Sequence, residues 1–234
     1  MADFKTHITT SSVLGVGYST VGILAFDVPL PTAVLAGGLC GVSGMLPDLD
    51  SDSGIPLRES VAFAAAVVPM LMFERFQILF GSMELAVLAG ALVYLLIRFG
   101  LAPMLKKYTV HRGMFHSIPA ALIATEVAYM ICLTGGVEMR LFKAGAVFVG
   151  FMSHLVLDEL WSLYWYRGRL RKKKSFGTAL KLWGKNSWGN VSAYTKLAIL
   201  TFLVYYDQQW MDHINQNGSH IQHMVQTISD HLRF

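Results

Sequence analysis

Three long apolar runs constrain the fold of this chain more than any other feature. A helix that crosses a bilayer needs about 20 mostly apolar residues, because the hydrocarbon core is about 30 Å thick. Hydrophobic residues make up 54% of the 234 residues and charged residues only 15%, and the mean hydropathy is +0.47. This is membrane composition and not soluble composition. The three runs are Glu84 to Leu105, Ser117 to Leu133 and Leu141 to Leu163.

We therefore predict an all-α fold, a polytopic membrane helical bundle of about six or seven transmembrane or membrane-embedded helices. Residues 1–166 form the membrane-embedded domain, and residues 167–234 form a basic juxtamembrane segment, a short apolar helix and a polar tail. The seventh helix, Tyr194 to Tyr206, is short for a perpendicular span and either lies in the interface or crosses with help from its flanks. The six predicted spans are Val13 to Phe26, Thr32 to Leu46, Val61 to Phe80, Glu84 to Leu105, Ser117 to Leu133 and Leu141 to Leu163.

The charge distribution indicates a membrane partner. The formal net charge is +4, but the basic residues gather in one run, Arg167 to Lys174. Such a run beside a membrane segment is first a topology signal and second a contact for anionic lipids, so we expect no nucleic acid partner. Cys40 and Cys132 lie inside apolar segments and are interpreted as small packing residues.

The segment His111 to Ser117 places two imidazoles, a guanidinium and a hydroxyl between two apolar runs. On a continuous helix, five residues advance about 500° and leave the rings of His111 and His116 about 140° apart. Gly113 permits a turn instead, which aims both histidines at one place, where neutral imidazoles bind a divalent metal. The alternative is that these residues lie at the interface and cap two helices.

An acidic cluster, Asp48, Asp50 and Asp52, directly follows an apolar span. Carboxylates at a membrane boundary are costly unless they are solvated, cap a helix or bind a cation. An ordinary acidic loop is the alternative interpretation. His154 and Asp158 form a second motif, because a spacing of four residues puts them on one helix face, about 5–6 Å apart at Cβ.

Such a pair can share a metal, or the carboxylate can orient the imidazole of a metal ligand. The alternative is a salt bridge from Asp158 to the arginines that follow it. The topology favours the metal, because six alternating spans put all the acidic and histidine motifs on one side. That side also carries most of the basic residues and is therefore cytoplasmic by the positive-inside rule. The motifs are His7, the Asp48 to Asp52 loop, the His111 to His116 turn and the Asp158 helix end.

These motifs resemble those of a known family, the inner-membrane metal-dependent hydrolases of the YdjM type, also described as LexA-binding hydrolases. The resemblance covers residues 1 to about 165 and implies a membrane-bound hydrolase with a divalent metal. The order of the motifs is more distantly similar to that of zinc-dependent phospholipase C. The residues that carry the resemblance are Thr6-His7, Leu46-Pro47-Asp48-Leu49-Asp50, His111-Arg112-Gly113 with His116-Ser117, and His154 to Asp158.

The leading hypothesis is a multi-pass inner-membrane hydrolase that acts on a small-molecule or lipid-like phosphoester at the cytoplasmic face. Mixed histidine and aspartate ligation without cysteine suits zinc, or else manganese, as one or two ions. Asp50 is a ligand or general base, and Arg112 pairs with the substrate phosphate. The alternative hypothesis is a non-catalytic transporter, or a scaffold that binds lipid or a partner. The predicted metal ligands are His7, Asp48, His111, His116, His154 and Asp158.

Overall fold

A computed structural model describes residues 3–50, 55–101, 114–166, 169–173 and 177–207. The described chain is all-helical apart from one short hairpin, which confirms the predicted fold class. The helices are α1 Phe4–Phe26, α2 Leu30–Ser43, α3 Ile55–Leu71, α4 Phe73–Phe80, α5 Met83–Leu95, α6 Ile118–Ile131, α7 Gly136–Leu160 and α8 over residues 187–207. A 3-10 turn, Leu46–Asp50, follows α2, and a π-helical turn, Leu96–Leu101, continues α5.

Helix α1 begins earlier than the sequence predicted. Asp3 is its N-cap and accepts a hydrogen bond from the Thr6 backbone N–H, so the helix starts at Phe4 and not near Val13. A carboxylate at this position satisfies a backbone donor that the first turn leaves unpaired. His7 consequently lies in the first turns of the span itself, and its ring is buried.

Small residues bring α1, α2 and α7 close together. A Cβ atom at Gly15 would overlap the carbonyl of Gly37, and one at Gly150 would overlap the carbonyl of Cys40. These positions let helix backbones approach each other, as small residues do at helix interfaces within membranes. The core beside them is formed by Ala36, Cys40 and Ala146. The buried cysteine is thus a packing residue, as predicted.

The described residues contain fewer candidate spans than the predicted six or seven, so that count is not confirmed. Among the described residues, four helices are long and apolar enough to cross a membrane, or five if one bent pair counts as a single span. The bent pair is α3 and α4, which meet at 44°, so the predicted span Val61 to Phe80 is broken near Met72. Helix α6 has only 14 residues. Apolar side chains such as Leu88 and Leu92 of α5 are exposed, as expected for a surface that faces lipid.

Two elements after α7 differ from the predictions. Part of the basic run forms an antiparallel hairpin in which β1, Leu163–Tyr166, pairs with β2, Arg169–Lys172. The predicted helix Tyr194 to Tyr206 is longer, since helix α8 covers residues 187–207. The four histidines of the predicted polar tail lie outside the described residues.

Helix α8 ends in a buried ion-pair cluster at the end of the bundle where α7 begins. Asp207 pairs with Arg75 at 2.8 Å and also with Arg140. Both arginines donate to carbonyls at the last turn of α6, from Arg75 to Met130 and from Arg140 to Tyr129. We name Arg75, Arg140 and Asp207 the arginine clasp. The predicted polar tail begins at Asp207, and this prediction is wrong for that residue because it is buried and paired.

Candidate metal centre

Five of the predicted ligands converge at the opposite end of the bundle. His7 comes from α1, Asp48 from the 3-10 turn, His116 from the turn before α6, and His154 and Asp158 from the last turns of α7. The rings of His7, His116 and His154 and the carboxylate of Asp158 are almost fully buried, and the Asp48 side chain is 21% exposed. We name these five residues the histidine–aspartate cluster.

The backbone of Gly44 fixes the orientation of His154. The Nδ1 atom of His154 lies 2.7 Å from the Gly44 carbonyl oxygen, which can only accept, so Nδ1 carries the proton and donates. The lone pair of the ring is therefore on Nε2, which points into the cluster. A Cβ at Gly44 would overlap the Ser11 side chain, so a glycine allows this carbonyl to reach the ring.

The N···O distances between side chains of the cluster are longer than typical hydrogen bonds. They are closer to the distance between two ligand atoms of one cation. His154 Nε2 lies 3.6 Å from Asp48 Oδ1 and 3.7 Å from Asp158 Oδ2. His116 Nε2 lies 3.3 Å from Asp48 Oδ1. Ligand atoms about 2.0–2.1 Å from a tetrahedral ion are about 3.3–3.4 Å from each other.

Buried nitrogen atoms at the centre of the cluster also favour a cation. Both ring nitrogens of His7 and the Nε2 of His154 are buried, with no hydrogen-bond partner in the described part of the chain. Burying such groups without a partner costs about 1–3 kcal/mol each. A divalent ion would accept the lone pairs and offset the negative charge of two carboxylates, so these residues fit a metal. The fit is geometric, and the role of each residue as a ligand remains a prediction.

Two ring contacts set the shape of the cluster. His7 and His154 are stacked, with centroids 3.6 Å apart and planes inclined by 11°. His116 meets His154 edge-on, with centroids 5.5 Å apart and planes inclined by 66°. Two groups of three side chains have ligand atoms within 4.8 Å of one another, namely His7 with His154 and Asp158, and Asp48 with His116 and His154.

A segment after the hairpin packs beside the cluster. The Glu159 carboxylate accepts hydrogen bonds from the backbone N–H groups of Gly177 and Ala179, and the Lys181 carbonyl accepts one from the Ile118 N–H. Ile118 is two residues from His116, so these bonds hold the start of α6 in place. The positioning roles of Gly44 and Glu159 are not among the features predicted from the sequence. The only signal for Gly44 was a glycine at the end of an apolar, small-residue span.

The remaining predicted site residues are not placed by the structure. His111 and Arg112 lie outside the described residues. The backbone of Asp50 belongs to the 3-10 turn, but its side chain is also outside the described part of the structure. The predicted convergence of separate motifs therefore holds for five residues, and the roles of Asp50, His111 and Arg112 stay predictions.

The sequence matches one family over most of its length. The match is to the YdjM inner membrane protein family and covers residues 1–210, which include all five residues of the histidine–aspartate cluster and also the arginine clasp. Comparison with curated proteins and with solved structures gives no match, so the likeness to zinc-dependent phospholipase C remains a prediction. On the extent of the family match, this chain belongs to the YdjM inner membrane protein family.

Proposed function

We propose that this protein is a metal-dependent hydrolase of the inner membrane that cleaves a phosphoester. The observation that supports the proposal is the convergence of three histidines and two aspartates, from four separate segments, on one buried point at the end of the bundle. A structural role alone would leave buried imidazole nitrogens unpaired at a cost. When bound, zinc or manganese would lower the pKa of a water molecule towards about 7 and polarise a phosphoryl oxygen.

The protein's own residues would hold the ion and orient the substrate. His154 would keep its ligand nitrogen aimed at the ion, because the Gly44 carbonyl holds the opposite nitrogen. Asp48, the most exposed member of the cluster, lies on the side from which substrate would enter. Arg112 would pair with the phosphate through its planar guanidinium, and Asp50 would act as a ligand or general base.

The surroundings of the cluster favour a lipid-like substrate at the cytoplasmic face. Trp183 and Trp188, in the part of the chain that packs beside the cluster, are 66% and 77% exposed. Tryptophan prefers the headgroup level of a bilayer, which would put the cluster within reach of lipid phosphates. Lys5 and Arg58 are exposed near the same end, as the positive-inside rule expects for the cytoplasmic side.

Turnover by purified protein tests the proposal. The protein is stripped of metal in detergent, reloaded with Zn²⁺ or Mn²⁺, and assayed on a generic phosphomonoester, a generic phosphodiester and a phospholipid in mixed micelles. We expect hydrolysis of at least one substrate that needs added metal, is lost in His154→Ala and is retained in Thr9→Ala, an exposed position two residues after His7 on the same helix. No hydrolysis with either metal by protein that binds metal would reject the enzyme and favour a transporter or scaffold.

The position of the cluster in the membrane is tested by reporter tags. A tag within residues 52–58 and one after Lys174 are expected to report the cytoplasm, and a tag at Gly135-Gly136 is expected to report the opposite side. The first and third positions flank the two ends of the bundle. A cytoplasmic report from Gly135-Gly136 would contradict the proposed sidedness.

A further inference from the structure

We infer that the histidine–aspartate cluster holds two adjacent metal ions and that the Asp158 carboxylate bridges them. This inference rests on the proposed metal centre and specifies how its ligands are divided. One ion is held by His154, His116 and Asp48 together with one oxygen of Asp158. The other ion is held by His7 and the second oxygen of Asp158.

The stacked rings are the first reason. The lone pair of an imidazole nitrogen lies in the ring plane, and the nearly parallel rings of His7 and His154 are stacked with their centroids 3.6 Å apart. An ion midway between them would lie about 1.8 Å out of each plane, although the metal–nitrogen bond is only about 2.0–2.1 Å long. One ion therefore cannot accept both lone pairs in this arrangement. Two ions, one in each plane, would be separated by a spacing typical of two-metal sites, about 3.5–4 Å.

The Asp158 carboxylate is the second reason. Its Oδ1 lies 3.3 Å from His7 Nε2, and its Oδ2 lies 3.7 Å from His154 Nε2. Each oxygen thus accompanies a different ring of the stack, as the two oxygens of a bridging carboxylate must. Because Asp158 is one helical turn after His154, α7 supplies the bridge and one of the two rings in a fixed geometry.

His154 cannot complete both groups of ligands by itself. It belongs to both sets of three candidate ligands, but its Nδ1 is committed to Gly44, which leaves a single lone pair. The edge-on contact assigns that lone pair to the set with His116, since steeply inclined rings can direct their nitrogens at a common point. The His7 ion then has fewer protein ligands among the described residues, and we expect it to bind more weakly.

Manganese stoichiometry and electron paramagnetic resonance test the inference on the full chain in detergent. At saturation with Mn²⁺ we expect about two ions per chain and the broadened multiline spectrum of a spin-coupled pair. In His7→Ala we expect about one ion per chain, an uncoupled six-line spectrum and affinity for that ion within a few-fold of the tighter wild-type site. Thr9→Ala, an exposed position on the same helix, should keep the coupled pair.

Three results would overturn the inference: one uncoupled ion in the wild type at saturation, loss of all binding in His7→Ala, or a coupled pair that survives in His7→Ala. Thermal unfolding of the metal-free variants checks that each is folded, and His7→Gln provides a second variant with a side chain closer in size to histidine. The readout is independent of catalysis. A coupled pair without hydrolysis would reject only the proposed enzyme, and hydrolysis with a single uncoupled ion would reject only the pair.

Discussion

Helix α7 carries a buried polar cluster at each end, and the two clusters are built in opposite ways. Arg140 belongs to the arginine clasp near the start of the helix, and His154 belongs to the histidine–aspartate cluster near its end. Their separation of fourteen positions corresponds to about 21 Å along the helix. Both clusters bury charge within a membrane protein, which is expensive unless the charge is paired or functional.

Most of the charge and most of the donors of the arginine clasp are compensated by the protein itself. Arg140 donates to the Tyr129 carbonyl at 3.1 Å and pairs with Asp207, while Arg75 donates to the Met130 carbonyl at 3.0 Å and pairs with the same carboxylate. The Arg140 guanidinium also stacks over the Tyr129 ring at 4.0 Å. Cations at the last carbonyls of α6 further suit the helix dipole.

The histidine–aspartate cluster is less completely compensated among the described residues. Its atoms lie 3.3–3.7 Å apart, and His154 Nε2 has no hydrogen-bond partner in the described part of the chain. The difference shows how to separate the two roles of buried polar groups. A cluster whose charged groups pair with each other and with backbone carbonyls holds helices together, whereas one that brings acceptors towards a shared point is suited to a cation.

Removal of the carboxylate from the arginine clasp is expected to cause the largest change in the free energy of unfolding. Asp207→Ala leaves the buried Arg140 and the partly buried Arg75 without their shared partner, so we expect the free energy of unfolding to fall by about 3–5 kcal/mol. Chemical or thermal unfolding in detergent measures the change, and metal stoichiometry should stay at the wild-type value. Glu138→Gln, an exposed acid at the same end, is the matched control. An equal loss in the control would mean that Asp207 has no special role.

Removal of a predicted ligand from the histidine–aspartate cluster is expected to lower metal affinity strongly and stability only slightly. His154→Ala should weaken metal binding by at least about 100-fold, because even a residue that only orients a ligand contributes about 10- to 100-fold. The metal-free protein should lose no more than about 2 kcal/mol of stability, since removal of the buried Nε2 that has no partner offsets part of the lost packing and of the lost hydrogen bond to the Gly44 carbonyl. Competition with a chromogenic chelator gives the affinity. A large loss of metal-free stability with unchanged affinity would make His154 a structural residue.

A substitution that disturbs the packing of α7 against α2 is expected to have a smaller effect on stability and metal affinity. In Gly150→Ala the new methyl would overlap the Cys40 carbonyl, so α7 must move away from α2 and carry His154 away from Asp48. We expect a loss of about 1–3 kcal/mol in stability and a measurable fall in metal affinity. Gly38→Ala is the control, because nothing lies within 4 Å of its added Cβ. Unchanged metal affinity in a destabilised Gly150→Ala would show that the cluster tolerates this displacement.

The sequence was sufficient for the parts of the site that depend on local periodicity and on alternating sides. His154 and Asp158 share a face because of the helical repeat, and an even number of spans returns His7 and Asp48 to the same side. The number of spans was harder to predict from the sequence, because a bend at Met72 and a short α6 do not alter hydropathy.

Contacts between distant segments could not be predicted. Arg140 and Asp207 are 67 residues apart, and the tail after residue 206 is polar in composition, so nothing in the sequence distinguished a buried carboxylate from a solvated one. The stack of His7 on His154 has the same origin, since it depends on how closely glycines let α1, α2 and α7 approach. Such contacts depend on three-dimensional packing and not on spacing along the chain.

Metal addition combines the two clusters in one measurement and is expected to give the smallest effect. At a free metal concentration ten times the dissociation constant, binding to the folded state alone should raise the free energy of unfolding by about 1.4 kcal/mol. Because the clusters are about 21 Å apart and share no side chain, the increment should be the same in Asp207→Ala as in the wild type, within about 0.5 kcal/mol. His154→Ala should show almost none of it at that concentration. The measurement is unfolding with Mn²⁺ against the same protein in chelator. An increment that disappears in Asp207→Ala would mean that helix α8 and the arginine clasp are needed to form the metal centre, and the two ends of α7 would then act as one unit.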